Sequence, residues 1–155
     1  MPYSPRRMAA IGINILLLLT VLTFIFSHSL ADQAASAEES TQLLSILSGL
    51  IKGLTEHMLR KLAHFSEFAA LGFLTIHLCH VCRKLHLHAI VHSLFFGLLC
   101  ALTDESLQLL NDRSAQVSDV WIDFSGVCCG VLFFVLLLVI HKLWRKQLHH
   151  RQSSR

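Results

Sequence analysis

Met8 to Phe26 is an almost unbroken apolar run of roughly 19 residues behind Arg6 and Arg7, long enough at about 1.5 Å of helical rise each to cross a hydrocarbon core ~30 Å thick. A chain carrying such a run has few options. In lipid the backbone polar groups must be satisfied internally, so an apolar run of this length folds as a spanning helix. Three more follow: Leu62 to Val81, Ala89 to about Leu110 and about Val120 to His141. With 54% hydrophobic and 15% charged residues in a chain of 155, there is too little polar surface for a soluble domain. The expected fold class is all-α, a single integral membrane domain over residues 1–155 with about four transmembrane helices. A cleavable signal is the rival reading of the first run, because Ser29-Leu30-Ala31 has the small-x-small form of a cleavage site. The run exceeds the ~7 to 15 residues of a signal core.

The segments between the runs refine this picture. Ser36-Ala37-Glu38-Glu39 has the spacing of a capping box, and apolar residues then recur at three- and four-residue steps from Leu43 to Leu54. At about 12 residues this amphipathic helix is too short to span and is expected either at the outer interface or packed over the bundle. Cys79, Cys82, Cys100, Cys128 and Cys129 all lie in or beside apolar runs, which is not the pattern of a secreted disulfide framework. Cys79 and Cys82 with His77, His80, His86 and His88 offer zinc-ligand types. Small residues at a helix end account for them more simply.

Alternate sides for successive loops put nine of the 13 Lys and Arg residues with the N-terminus, the second turn and the C-terminus. The positive-inside rule then makes both termini of this multi-pass chain cytoplasmic. Cations at the ends of apolar runs follow topology, and nucleic acid is not an expected partner. The lipid bilayer is.

Against this background the stretch ALTDESLQLLNDRSAQVSDVWIDFSGVCCG, Ala101 to Gly130, stands out, because Asp104, Glu105, Asp112, Asp119 and Asp123 lie between two apolar runs. Ionisable groups at a membrane boundary are costly and mark function. Asp104 and Gln108 are four apart, Glu105 and Gln108 three apart, and Asp119, Asp123, Gly126 and Gly130 follow one helical stripe. That stripe is acidic at one end and free of side chains at the other, as suits a helix that packs closely. Arg60, Lys61, His64 and Glu67 open the second run on the same side of the membrane. Scattered positions therefore converge at one depth.

Two accounts compete. In one, Arg60, Lys61 and Arg113 neutralise the acids to lock the helices in register. In the other, acids outnumber their basic partners and some carboxylates remain to hold a proton, a cation or a ligand in an outward-facing cleft. His64, Glu67, Asp104, Glu105 and Asp123 are the candidates for acid–base work. No catalytic assignment follows from spacing alone. No cofactor motif is present, although His64 and Glu67 with Asp104, Glu105, Asp119 and Asp123 offer an N/O shell to a divalent metal. Ser66 and Ser125 lack any nucleophile-elbow signature.

These blocks resemble the VanZ-like membrane proteins, a family named for a teicoplanin-resistance protein of Gram-positive bacteria. RKLAHFSEFAALGFL, Arg60 to Leu74, is similar to the family's RKxxHFxEY/F block at Arg60, Lys61, His64, Phe65, Glu67 and Phe68. ALTDESLQLLNDR, Ala101 to Arg113, resembles DExxQ followed by an arginine. Asp119, Asp123 and Gly126 match D-x-x-x-D-x-x-G, and Phe26-Ser27-His28-Ser29 is similar to a serine-rich FS-x-S after the first span. Phe68 stands where tyrosine is common, and Asn111-Asp112 replaces a frequent Pro-Gly. The resemblance implies a four-span inner-membrane protein and, as in the founding member, an effect on glycopeptide antibiotic susceptibility. It implies no reaction.

The residues expected to bind a ligand are Arg60, Lys61, His64, Glu67, Asp104, Glu105, Gln108, Arg113, Asp119 and Asp123. The ligand expected is a component of the cell envelope, a lipid or wall precursor. The alternative is a membrane-embedded, metal-assisted hydrolase or transferase acting on it, and the sequence leaves the choice open.

Overall fold

A computed structural model of the chain describes residues 4–30, 55–110 and 116–153. Four helices make up the described part: α1 (Pro5–Leu30), α2 (Glu56–Val81), α3 (Leu87–Leu110) and α4 (Val117–Ser153). All four are long and apolar enough to cross a membrane. The all-α membrane bundle read from the sequence is the fold. The expected interfacial helix over 43–54 and its capping box lie outside the described residues, as does Arg113.

Local chemistry sets the helix ends. Pro5 opens α1, where a missing N–H is no loss. Thr55 caps α2 by accepting from the Met58 N–H at 3.3 Å. At the far end of α2 the Lys84 N–H reaches the Cys79 carbonyl and the Arg83 N–H the His80 carbonyl, both at 2.9 Å. This is the doubly bonded helix stop that glycine usually supplies. Here Arg83 holds the left-handed position with φ 56°, at a cost of about 1 kcal/mol.

Two helices exceed the spans expected for them. α1 continues past Phe26 to Leu30, because Ser27, His28 and Ser29 include no helix breaker. The Ser29 hydroxyl also returns to the Ile25 carbonyl at 3.0 Å. α4 runs on past His141 to Ser153, so the basic tail begins as a helical extension with Lys142, Arg145 and Lys146 exposed. Trp121 and Trp144 are both exposed on α4, about 35 Å apart along its axis. They suit the two interfacial levels of a bilayer.

Helices in lipid gain little from burying apolar surface against one another, and close backbone approach takes over. Gly126 and Gly130 provide it. A Cβ on Gly130 would collide with the Ala69 carbonyl oxygen and stand 2.8 Å from the Phe73 nitrogen, and one on Gly126 would strike the Phe65 carbonyl oxygen. α2 and α4 therefore meet backbone to backbone along this seam. Beside it Phe68, Leu71, Ile76, Ala101 and Val127 are wholly buried. Leu16, Leu19, Phe95, Leu132 and Phe133 are exposed on the outer faces, where lipid replaces water.

Candidate functional site

The chain runs up and down, so the end of α1, the start of α2, the end of α3 and the start of α4 share one end of the bundle. Asp104 lies six residues before the end of α3 and Asp123 six residues after the start of α4, each about 9 Å inside its helix terminus. The side chains at this depth are buried. Asp104 is 0% exposed, Asp123 2%, Glu105 6% and Gln108 8%.

Asp104 is the best-held acid. One oxygen accepts a short hydrogen bond from the Ser29 hydroxyl on α1. The other accepts from Gln108 Nε2 at 2.9 Å and lies 3.8 Å from His64 Nδ1 on α2. The four-residue step between Asp104 and Gln108 thus works as read. Ligand atoms of His64, Asp104 and Asp123 all lie within 4.8 Å of one another, so three helices meet at one point. Neither Asp104 nor Asp123 has a lysine or arginine partner among the described residues.

The other acids have different work. Glu105 Oε1 accepts the Gln116 backbone N–H at 2.5 Å. Gln116 stands immediately before α4, so Glu105 on α3 anchors the positive end of the next helix. Asp119 pairs with Lys61 at 2.9 Å, both side chains about a third exposed. Glu67 lies 3.6 Å from His28 Nδ1. Arg60 is half-buried on α2, one turn before His64, with no carboxylate at ion-pair distance among the described residues.

The positions read from the sequence therefore separate into a buried centre of His64, Asp104, Gln108 and Asp123 and a rim of Lys61, Glu67 and Asp119, with Glu105 bracing α4. Ser29 and His28 were missed as site residues. The signal for them is Phe26-Ser27-His28-Ser29, which the family resemblance places after the first span without giving either residue a partner. The zinc-ligand types around Cys79 and Cys82 form no metal-ligand group among the described residues, and the five cysteines are free.

A carboxylate held by two donors, a second fully buried carboxylate and an imidazole make a set that can hold a cation or exchange a proton. The half-buried cation Lys61 lies at its rim, and Arg60 precedes His64 on α2.

A search of the curated proteins and of the solved structures finds no match to the chain. The family described as VanZ/LLP1 matches residues 13–139, which take in α1 from Ile13 to Leu30, all of α2 and α3, and most of α4. The three blocks that carry the resemblance fall on the helix ends that build the polar centre, and the chain belongs to the VanZ/LLP1 family.

Proposed function

We propose that this protein sits in the cytoplasmic membrane with both termini inside, and that its polar end faces outward and engages a component of the cell envelope. The component bears phosphate, carboxylate or a lipid head group. Arg60, Lys61 and Arg113 anchor its anionic part, while His64 and the acids hold a proton or cation beside it. An altered glycopeptide target, or altered access to that target, then changes susceptibility to teicoplanin. The distribution of Lys and Arg over the loops supports the orientation.

The observation that carries this reading is Asp123. It is 2% exposed in a membrane helix and forms no hydrogen bond or ion pair with another described residue. A carboxylate kept only to lock helices would be paired. Asp123→Asn removes the charge at nearly constant shape and is the sharpest probe. Glycopeptide susceptibility is measured in a deletion strain carrying wild type, Asp123→Asn or Glu105→Gln, with membrane abundance and melting temperature recorded for each. The expected result is an abundant, stable Asp123→Asn protein that restores tolerance only in part. Loss of the protein from the membrane would instead make the cluster structural, and a deletion without phenotype would remove the glycopeptide link.

A second reading, a metal-assisted hydrolase or transferase acting on a lipid or wall precursor, is favoured by the approach of His64 to two buried carboxylates. It predicts complete loss on Asp123→Asn, whereas binding alone predicts graded loss.

A further inference from the structure

We propose that His64, Asp104 and Asp123 form a binding site for one divalent transition-metal ion of the zinc or manganese class. The proposal deepens the reading of this end of the bundle as a functional site and rests on it. Each ligand comes from a different helix, α2, α3 and α4, and the candidate atoms lie within 4.8 Å of one another. Ligands bonded to one ion at about 2.1 Å stand roughly 3 to 3.5 Å apart. The observed His64 to Asp104 separation of 3.8 Å reaches that range with a small side-chain rotation.

Independent of this proximity is the state of Asp123. Buried to 2% exposure and without a hydrogen-bond or ion-pair partner among the described residues, it is a ligand with its coordination capacity unspent. Asp104 is complementary, for Ser29 and Gln108 hold it from behind in the way that outer groups orient a metal-ligating carboxylate. The remaining acids have other tasks: Asp119 meets Lys61 and Glu105 the N–H before α4.

Charge points the same way. With both carboxylates ionised the site would carry −2, which no described lysine or arginine offsets and which a divalent ion would cancel in place. One imidazole with two carboxylates suits zinc or manganese better than calcium or magnesium, which prefer oxygen alone. Three protein ligands leave room for a water molecule or an oxygen of the envelope ligand.

The test uses the full chain, purified, stripped with chelator and reconstituted in nanodiscs, with Mn²⁺ or Zn²⁺ alone as the probe. Calorimetry is expected to show one ion per chain and melting a rise in Tm. In Asp123→Asn the affinity is expected to fall by about 100-fold or more, while the metal-free protein melts no lower than wild type. His86→Ala with His88→Ala, which removes an exposed histidine pair, should leave the ion in place. Equal binding by wild type and Asp123→Asn would overturn the proposal by locating the ion elsewhere, as would a folded wild type that binds neither metal. If no ion binds yet Asp123→Asn still loses tolerance at normal abundance, the metal site falls and the envelope site stands. If the ion binds and tolerance is indifferent to Asp123→Asn, the metal site stands and the envelope reading falls.

Discussion

The two ends of the bundle both tie α1 to later helices through polar side chains, yet they do it differently. At one end Arg7 Nε donates to the Val81 carbonyl and Asn14 Nδ2 meets His77 Nδ1, each at 2.5 Å. His77 is packed against Phe73 and Phe134. Across the bundle Ser29 bonds Asp104 and His28 approaches Glu67. The first end shows how little register requires: one amide, one imidazole, and one guanidinium on a backbone carbonyl. The second goes well beyond that, bringing buried acids from two helices against an imidazole from a third. Polar groups beyond what register needs are the observation on which the proposed site rests.

Substitutions can break or sharpen that contrast, and the largest effect lies between the ends. Gly130→Leu drives a side chain into the backbone of Ala69 and Phe73 and is expected to cost about 3 kcal/mol or more. Monodisperse protein after detergent extraction reports it, and the loss should strike both ends together. Asp104→Ala comes next. It strands the Gln108 Nε2 donor and leaves the Ser29 hydroxyl only the Ile25 carbonyl, at a cost of about 1 to 3 kcal/mol, and should abolish function outright, as melting and susceptibility assays on the same preparation would record.

Asn14→Leu addresses the other end. A polar contact between membrane helices contributes about 1 kcal/mol on average, and Asn14 Oδ1 has no hydrogen-bond partner in this end. The expected outcome is a small fall in Tm with tolerance intact. Loss of tolerance at unchanged stability would show that the two ends are coupled and that the contrast is wrong. The smallest effect is expected for Lys61→Gln, because a partly exposed pair is worth about 0 to 1 kcal/mol. Its change in melting should shrink as salt is added. A collapse of the fold would favour the view that the charged cluster only holds helices together.

Much of this was legible in the residues because hydropathy is local. Four runs of sufficient length in a bilayer leave helices as the available form, and four helices are what the described chain contains. Alternating direction then brings His64, Asp104 and Asp123 to one depth before any tertiary contact is known. The role of the last turn of α1, beyond Phe26, is not local in this way. Ser29 is polar by itself, and its place in the bundle depends on a carboxylate 75 positions away.

The sequence by itself determined the architecture, the close-packed stripe of Gly126 and Gly130, and the end of the bundle where charge gathers. Only the tertiary structure decided what each acid does: Glu105 steadies α4, Asp119 meets Lys61, Asp104 is held by Ser29 and Gln108, and Asp123 is buried without a described partner. Depth follows from counting along a helix at a fixed rise. Partnership follows from how far each helix is rotated about its axis against its neighbours, which backbone contact at the glycine seam sets and a linear pattern does not encode.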